Sequence, residues 1–311
     1  METMKAVRIH SYGGPEVLVY EDVPKPQPGD GEVLVRIHAA SVNPIDWMMR
    51  NGDYKAMIPQ LPIILGWDFA GVIEQVGGKV ADLKPGDAVY ANLGASAGGY
   101  AEYVAAPASA VAHKPASLDF VAAASVPLVA LTAWQALFEV ANLSAGQTVL
   151  IHAAAGGVGS MAVQLAKAKG AHVIGTASAH NADFLRELGA DEIIDYKTTR
   201  FEDVVHDVDV VFDTVGGDTQ QRSWGVLKHG GILASVVPPP PSEDTIPQGV
   251  RGQFVRSHPS GVQLTEIAEL IDKGQVKPII DTVLPLASAR QAHELSQSGH
   301  TRGKIVLRVV D

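Results

Sequence analysis

Residues 148–178, TVLIHAAAGGVGSMAVQLAKAKGAHVIGTAS, constrain this chain more than any other stretch. An apolar run of strand type at 148–152 leads straight into glycines, and 160–169 then carries Met161, Val163, Leu165 and Ala166 at helical spacing. A second strand at 172–176 closes a βαβ unit of the length that a dinucleotide fingerprint requires. Ala154, Gly156 and Gly159 fill the three positions of G-x-G-x-x-G, with alanine in the first. Glycine at 156 leaves room for a pyrophosphate against the backbone, and glycine at 159 lets the helix pack closely on its strand. The free N–H groups and partial positive charge of the helix N-terminus would complete an anion site with no basic side chain. Ala155, Gly156, Gly157, Val158 and Gly159 are the expected cofactor loop; the alternative is a glycine-rich turn without a ligand.

An acidic residue usually holds the adenosine ribose at the tip of the second strand. That tip reads Gly175, Thr176, Ala177, Ser178, and no carboxylate follows until Asp183. A 2′-phosphate would meet no repulsion there, so NADPH is expected over NADH. Thr176, Ser178, His180, Asn181 and, from the next strand tip, Tyr196 are the candidates around it, although Thr176 and Ser178 could equally fill a turn. Val215, just past a strand expected at 208–213, is assigned to the cofactor as well.

With 311 residues the chain has room for two domains, each with its own core. A net charge of -10, from 24 basic and 34 acidic residues without basic runs, argues against nucleic acid or an anionic membrane as partner. The absence of cysteine excludes disulfides, thiolate chemistry and cysteine-ligated zinc. The longest apolar region, 121–141, is interrupted by Ser125, Pro127, Thr132, Gln135 and Glu139, so it reads as core helices and not a membrane span. The first ten residues lack signal-peptide character, and a cytoplasmic protein is expected.

Short strands with Gly/Pro punctuation are predicted at 5–9, 17–21, 33–39, 71–76, 88–90, 101–105 and 110–113, which gives a β-rich, barrel-like first domain. Ser117 is expected to cap a short helix, and 128–141 to form a second helix. Thereafter βα alternation continues, with a helix at 182–188 stopped by Gly189, strands at 192–196 and 208–213, a helix near 219–227 and a strand at 231–237. Such alternation implies a parallel doubly wound sheet. Residues 238–241, all proline, are expected in a surface loop. Ser260 and Gln263 form a capping-box signature for a helix ended by Gly274. The tail is expected to contain a strand from 279, a helix near 287–296 and a last strand at 304–310 that returns to the first domain.

HAAAGGVG followed by MAVQLAKAKGA, together with GWDFAGVI, SVNPIDW, KPGDAVYA and a closing GKIVL, resembles the zinc-independent quinone oxidoreductase (zeta-crystallin-like) branch of the medium-chain dehydrogenase/reductase superfamily. The resemblance spans nearly the whole chain. It implies an α/β fold: a GroES-like β-barrel domain at 1–120, completed by 278–311, plus a Rossmann doubly wound parallel sheet domain at 121–277. Zinc-dependent relatives carry a cysteine where this chain has Asn43, a histidine at Trp67 and a cysteine close to Leu128, so no metal is expected. Relatives place an asparagine and an aspartate beside the nicotinamide, matching Asn43 and Asp46, and a tyrosine near Tyr54. Asn43 and Tyr54 could hydrogen-bond a carbonyl oxygen. Asp46 is either part of that site or a cap for the helix after Pro44, and Tyr54 is either a donor or an aromatic wall. Thr132, Phe254 and Val255 match positions that contact the nicotinamide half of the cofactor. Many relatives have a lysine at the position of Asn181, which would make the phosphate preference modest. The function implied is hydride transfer from NADPH to a quinone or an enone by a homodimer. The alternative is a non-catalytic NADPH-binding protein with the same fold.

Overall fold

A computed structural model describes residues 2–57, 60–96, 98–239, 243–299 and 301–310. The chain divides into two compact units, Met1–Leu128 with His258–Asp272 and Pro278–Asp311, and Val129–Ser257 with Lys273–Lys277.

In the first unit, the strands are β1 (Thr3–Ile9), β2 (Leu18–Pro24), β3 (Glu32–Val42), β4 (Ile63–Ile64), β5 (Asp68–Val76), β6 (Ala88–Asn92), β7 (Tyr103–Pro107) and β8 (Val111–His113). Helix α1 (Pro44–Asn51) follows β3 directly, and α2 (Phe120–Ala124) comes after β8. Eleven-residue β3 is the centre: it pairs antiparallel with β5 and β7, and two register shifts against β5 bend the ladder. Val33, Val35 and Ile37 of β3 pack with Phe69, Ile73 and Val89 in one core, while Val7, Ile9, Met49, Leu65, Trp67 and Tyr100 form another.

The second unit holds α3 from Val129 on (Pro127–Trp134 in full), β9 (Thr148–Ile151), α4 (Gly157–Ala168), β10 (His172–Ala177), α5 (Ala182–Glu187), β11 (Glu192–Asp195), β12 (Val208–Asp213), α6 (Gly217–Ser223), β13 (Leu227–Ser235) and β14 (Arg251–Phe254). The six strands run parallel in the order β11-β10-β9-β12-β13-β14. The strand order reverses between β9 and β12, and in such sheets ligands bind outside the carboxyl ends of the strands at that point. The chain returns to the first unit through α7 (Gly261–Asp272), β15 (Ile280–Pro285), α8 (Ala289–Gln297) and β16 (Lys304–Arg308), with β16 antiparallel to β3.

Several local expectations need correction. Ser117 does not cap α2: Asp119 does, its carboxylate accepting the Ala122 N–H at 2.7 Å, whereas Ser117 gives its N–H and hydroxyl to Asp272. The helix expected through 141 is α-helical only to Trp134 and continues as a π-helix over Gln135–Val140, where the Ala141 N–H reaches back five residues to Ala136. Strand β14 was not among the expected strands, although Arg251 and Gln253 alternate with the less exposed Gly252 and Phe254. Residues 121–128 and α7 belong to the first compact unit, unlike the expected division. Tyr90 donates to the Leu264 carbonyl at 2.6 Å, and a Cβ on Gly261 would lie 2.5 Å from the Val111 carbonyl oxygen, so α7 is fastened to β6 and β8. Within the proline run, Pro238 and Pro239 are exposed, and Pro240 and Pro241 lie outside the described residues.

Candidate functional site

The carboxyl edge of the second unit's sheet carries most residues assigned to the cofactor. Gly156 is the N-cap of α4 with an extended backbone (φ -74°, ψ 176°). A Cβ there would meet nothing closer than the Ala153 carbonyl oxygen at 3.3 Å. At Gly159 the same test puts a Cβ 2.3 Å from that oxygen and 2.7 Å from the Ala154 Cα, a collision with backbone. Packing therefore requires glycine at 159, whereas at 156 a Cβ would need the Ala153 carbonyl to give by only a few tenths of an ångström, a milder restriction. Ala155 is buried, Gly157 and Val158 are half-buried in the first turn of α4, and that turn holds no acidic residue to compete for an anion.

The loop is tied to β10 through the Ala154 N–H, which donates to the Thr176 carbonyl at 3.0 Å. Beyond β10, Ser178, His180 and Asn181 do come together: Ser178 Oγ lies 3.1 Å from His180 Nδ1, and Asn181 Nδ2 donates to it at 3.3 Å. The Asn181 Oδ1 is buried with no hydrogen-bond partner, so this corner has polar capacity left for a ligand. Tyr196 is 60% exposed beside it, its N–H bonded to the Ala177 carbonyl. Thr176 departs from the cofactor-binding expectation: it is buried, and its hydroxyl bonds His152 Nδ1 at 3.1 Å. Val215 is exposed past β12, Phe254 ends β14, and Val255 follows it with its N–H on the Ser235 carbonyl. Thr132 is buried in α3.

The first unit holds a buried polar cluster built on the β3–α1 junction. Asp68 accepts four hydrogen bonds, each at 2.9 Å, from Ser41 Oγ, Asn43 Nδ2, Asn92 Nδ2 and the Leu128 N–H. All four partners donate, which marks Asp68 as an ionised carboxylate. Lys304 donates to the Val42 carbonyl at 2.8 Å and to Asn43 Oδ1, so Asn43 bridges the buried ammonium and the carboxylate. Burial pushes Asp68 up and Lys304 down, each against the pull of the other's charge. Asn43 is thus fully enclosed with both ends of its amide engaged, and the role expected of it, holding a carbonyl, is corrected to that of a bridge.

Asp46 caps α1 by accepting the Asn43 N–H at 2.8 Å, and it also takes the Tyr100 hydroxyl at 3.0 Å. Burial raises its carboxyl to about 7. A one-way chain ends on it. Arg50 can only donate, so His293 Nδ1 accepts from it at 3.2 Å; His293 Nε2–H then donates to Tyr100 at 3.2 Å, and Tyr100 to Asp46. Burial holds His293 down at about 3, in keeping with that neutral tautomer. Tyr54 is half-buried against the core of Met49, Leu65 and Trp67.

Two family profiles match the chain: an alcohol dehydrogenase GroES-like domain over residues 29–116 and a zinc-binding dehydrogenase domain over 188–307. The chain is 38% identical to the chloroplastic NADPH-dependent alkenal/one oxidoreductase of Arabidopsis thaliana, over 98% of this chain and 79% of that protein. It matches the structure of the quinone oxidoreductase from Coxiella burnetii with a TM-score of 0.93 and 38% identity, covering 99% of this chain and all of the other (100%). The chain belongs to the quinone oxidoreductase branch of the medium-chain dehydrogenase/reductase superfamily. A mycobacterial member, Rv1454c, solved with NADPH, has a TM-score of 0.86 at 32% identity, over 98% of this chain and 100% of that one. The α/β fold expected, a GroES-like domain plus a Rossmann-type parallel sheet, is the fold of this branch.

In this quinone oxidoreductase relative, the three positions expected to replace zinc ligands lie at Asp68: Asn43 and the Leu128 N–H bond it, and Trp67 precedes it while giving its indole N–H to Met49 Sδ at 3.1 Å. Among the described residues, no group of three or more His, Cys, Asp or Glu could hold a metal ion, and no helix is long and apolar enough to cross a membrane. Sequence reasoning missed Asp68, Lys304 and His152. A carboxylate inside GWDFAGVI and an ammonium opening the apolar run KIVL were the available signals, since a charge in a buried strand needs a partner.

Proposed function

We propose that this protein is an NADPH-dependent oxidoreductase that transfers hydride to a quinone or an α,β-unsaturated carbonyl without zinc. One observation carries the cofactor half of the reading: glycine at 156, where packing restricts a side chain far less than at 159, sits at a helix N-terminus beside a strand tip free of carboxylate. The relatives named for NADPH-dependent alkenal/one and quinone reduction support the acceptor half. Residues 155–159 would hold the pyrophosphate, and Ser178, His180, Asn181 and Tyr196 the 2′-phosphate, with Val215, Phe254, Val255 and Thr132 toward the nicotinamide half. When bound, the cofactor supplies the hydride.

The chain's own residues then have to bind and orient, and to stabilise charge on the acceptor oxygen. A quinone or enone spreads that charge as an enolate, which neutral hydrogen-bond donors can hold, whereas a localised alkoxide needs a metal or a concerted proton. Tyr54 is the donor this reading assigns. Asp46 and Asn43 support it indirectly by fixing the start of α1. The reading includes a cytoplasmic homodimer, for which β14, one of the sheet's two edge strands among the described residues, offers a free edge.

Quinones and enones should be reduced with NADPH, and saturated ketones and simple alcohols should be nearly inert, with rates unchanged by a chelator. A tightly held zinc whose removal abolishes turnover would overturn the metal-free part. Binding of NADPH without reduction of either acceptor class would favour a non-catalytic NADPH-binding protein. Tyr54→Phe should lower kcat about tenfold, roughly 1.4 kcal/mol, and leave NADPH affinity alone; an unchanged kcat would remove Tyr54 from the mechanism. In fluorescence titrations NADPH should bind about tenfold more tightly than NADH, again roughly 1.4 kcal/mol. Equal affinities would sink that preference.

A further inference from the structure

His152 is the first residue after β9 and is only 1% exposed, yet nothing in the hydride-transfer reading uses it. Its four polar groups tie together four elements at the point where the strand order reverses. The backbone N–H donates to the Phe212 carbonyl of β12 at 3.1 Å, and the carbonyl accepts from Thr214 Oγ1 at 2.8 Å. The ring reaches Thr176 on β10 through Nδ1 at 3.1 Å and Ser223 on α6 through Nε2 at 2.9 Å.

The direction of both ring bonds is forced. Ser223 has one hydroxyl proton, and its oxygen lies 2.6 Å from the Thr219 carbonyl, an acceptor that cannot donate. Ser223 therefore accepts from His152 Nε2–H. A neutral imidazole protonated at Nε2 has a bare Nδ1, so Thr176 donates to it. Burial holds the ring down at about 4, which keeps it neutral. The hydroxyl of Thr176 is consequently turned inward, and the β10 tip is locked to the residue that opens the cofactor loop.

That loop has little tolerance. The next residue, Ala153, sits in the left-handed region at φ 47°, unusual for a residue with a Cβ. Its carbonyl accepts the Gly156 N–H at 3.0 Å and faces Gly159 so closely that only hydrogen fits. His152 thus anchors a carbonyl against which both the turn at Gly156 and α4 at Gly159 are fitted.

We propose that His152, with Thr176 and Ser223, is the positioning residue of the cofactor loop, holding residues 153–156 in the one conformation that receives a pyrophosphate. This rests on the NADPH reading. Because the pyrophosphate is common to NADPH and NADH, loosening the loop must weaken both alike.

The test is fluorescence titration of both cofactors on His152→Leu and on the shape-conserving Thr176→Val, with KM for a quinone measured at saturating NADPH. We expect both dissociation constants to rise about tenfold in His152→Leu and about threefold in Thr176→Val, with the NADPH to NADH ratio and the quinone KM unchanged. A lower melting temperature with unmoved dissociation constants would mean a purely structural histidine and would overturn the proposal. If His152→Leu does not fold, Thr176→Val decides alone, since it deletes one hydroxyl and keeps the shape. Nitrogen NMR of the wild type should find His152 protonated at Nε2; protonation at Nδ1 would overturn the forced direction. Wild-type protein that fails to bind NADPH overturns the cofactor reading itself, whereas wild-type binding with unmoved variants overturns only the role of His152.

Discussion

Gly156→Val is expected to weaken NADPH binding by at least about a hundredfold, roughly 2.7 kcal/mol, in a protein that still folds. The backbone at 156 is extended, a conformation valine adopts readily, and the nearest obstacle to its Cβ is a carbonyl oxygen at 3.3 Å, which a small adjustment relieves. The branched side chain would instead fill the space over the N-terminus of α4, where an anion must come within hydrogen-bonding distance of the backbone. Gly159→Val should fail in the opposite way. Its Cβ would lie 2.3 Å from the Ala153 carbonyl oxygen and 2.9 Å from the Ala154 carbonyl carbon, so α4 would have to leave its strand. Stability should suffer first, and binding only as a consequence. Circular dichroism with cofactor titration separates the two variants. Normal NADPH affinity in Gly156→Val would remove the loop as the pyrophosphate site.

Breaking the buried charge pair of the first unit should give the largest loss of stability. Lys304→Met leaves the Asp68 carboxylate without its counter-charge and leaves the Val42 carbonyl and Asn43 Oδ1 without a donor. Removing one member of a buried pair costs about 3–5 kcal/mol, because the remaining charge is stranded in a poor dielectric. Asp68→Asn should be destabilising for the mirror-image reason, since four donors would then converge on a group that is itself half donor. The double variant should cost less than the sum of the singles by about 1 kcal/mol or more, the signature of coupled neighbours. Thermal unfolding of the three variants measures this. Strict additivity, or a cost under about 1 kcal/mol for Lys304→Met, would mean that the pair is not ionised in the folded protein. NADPH affinity reports on the second unit and should be little changed in Lys304→Met.

The contrast between these two sites explains how much could be read from the chain itself. The spacing of Ala154, Gly156 and Gly159 between an apolar strand and a periodic helix announced the parallel sheet, and the missing carboxylate at 175–178 raised the expectation of NADPH. Strand β12 falls at the predicted residues, and α5 stops before Gly189, which takes the left-handed φ of 100° that glycine tolerates. These features depend on residues within a turn or two of one another, so backbone geometry and periodicity suffice to reveal them. Cap choice was already less legible. Ser117 and Asp119 are both good capping residues, and Asp272, far along the chain, decided between them by taking the Ser117 hydroxyl.

Side-chain partnerships were settled only by tertiary structure. Asn43 meets Lys304 across 261 positions and Asp68 across 25, and those two bonds convert a residue expected to hold an acceptor carbonyl into an internal bridge. Thr176 looked like a hydroxyl offered to the cofactor, but it donates its hydrogen bond to His152, 24 positions earlier. By itself the sequence determined the α/β class, the glycine-rich turn between β9 and α4 and the absence of cysteine ligands, because local spacing and residue identity carry that information. Which polar groups face a ligand and which are consumed inside the protein was decided by the fold, because every buried donor and acceptor must find a partner, and that partner can come from anywhere in the chain.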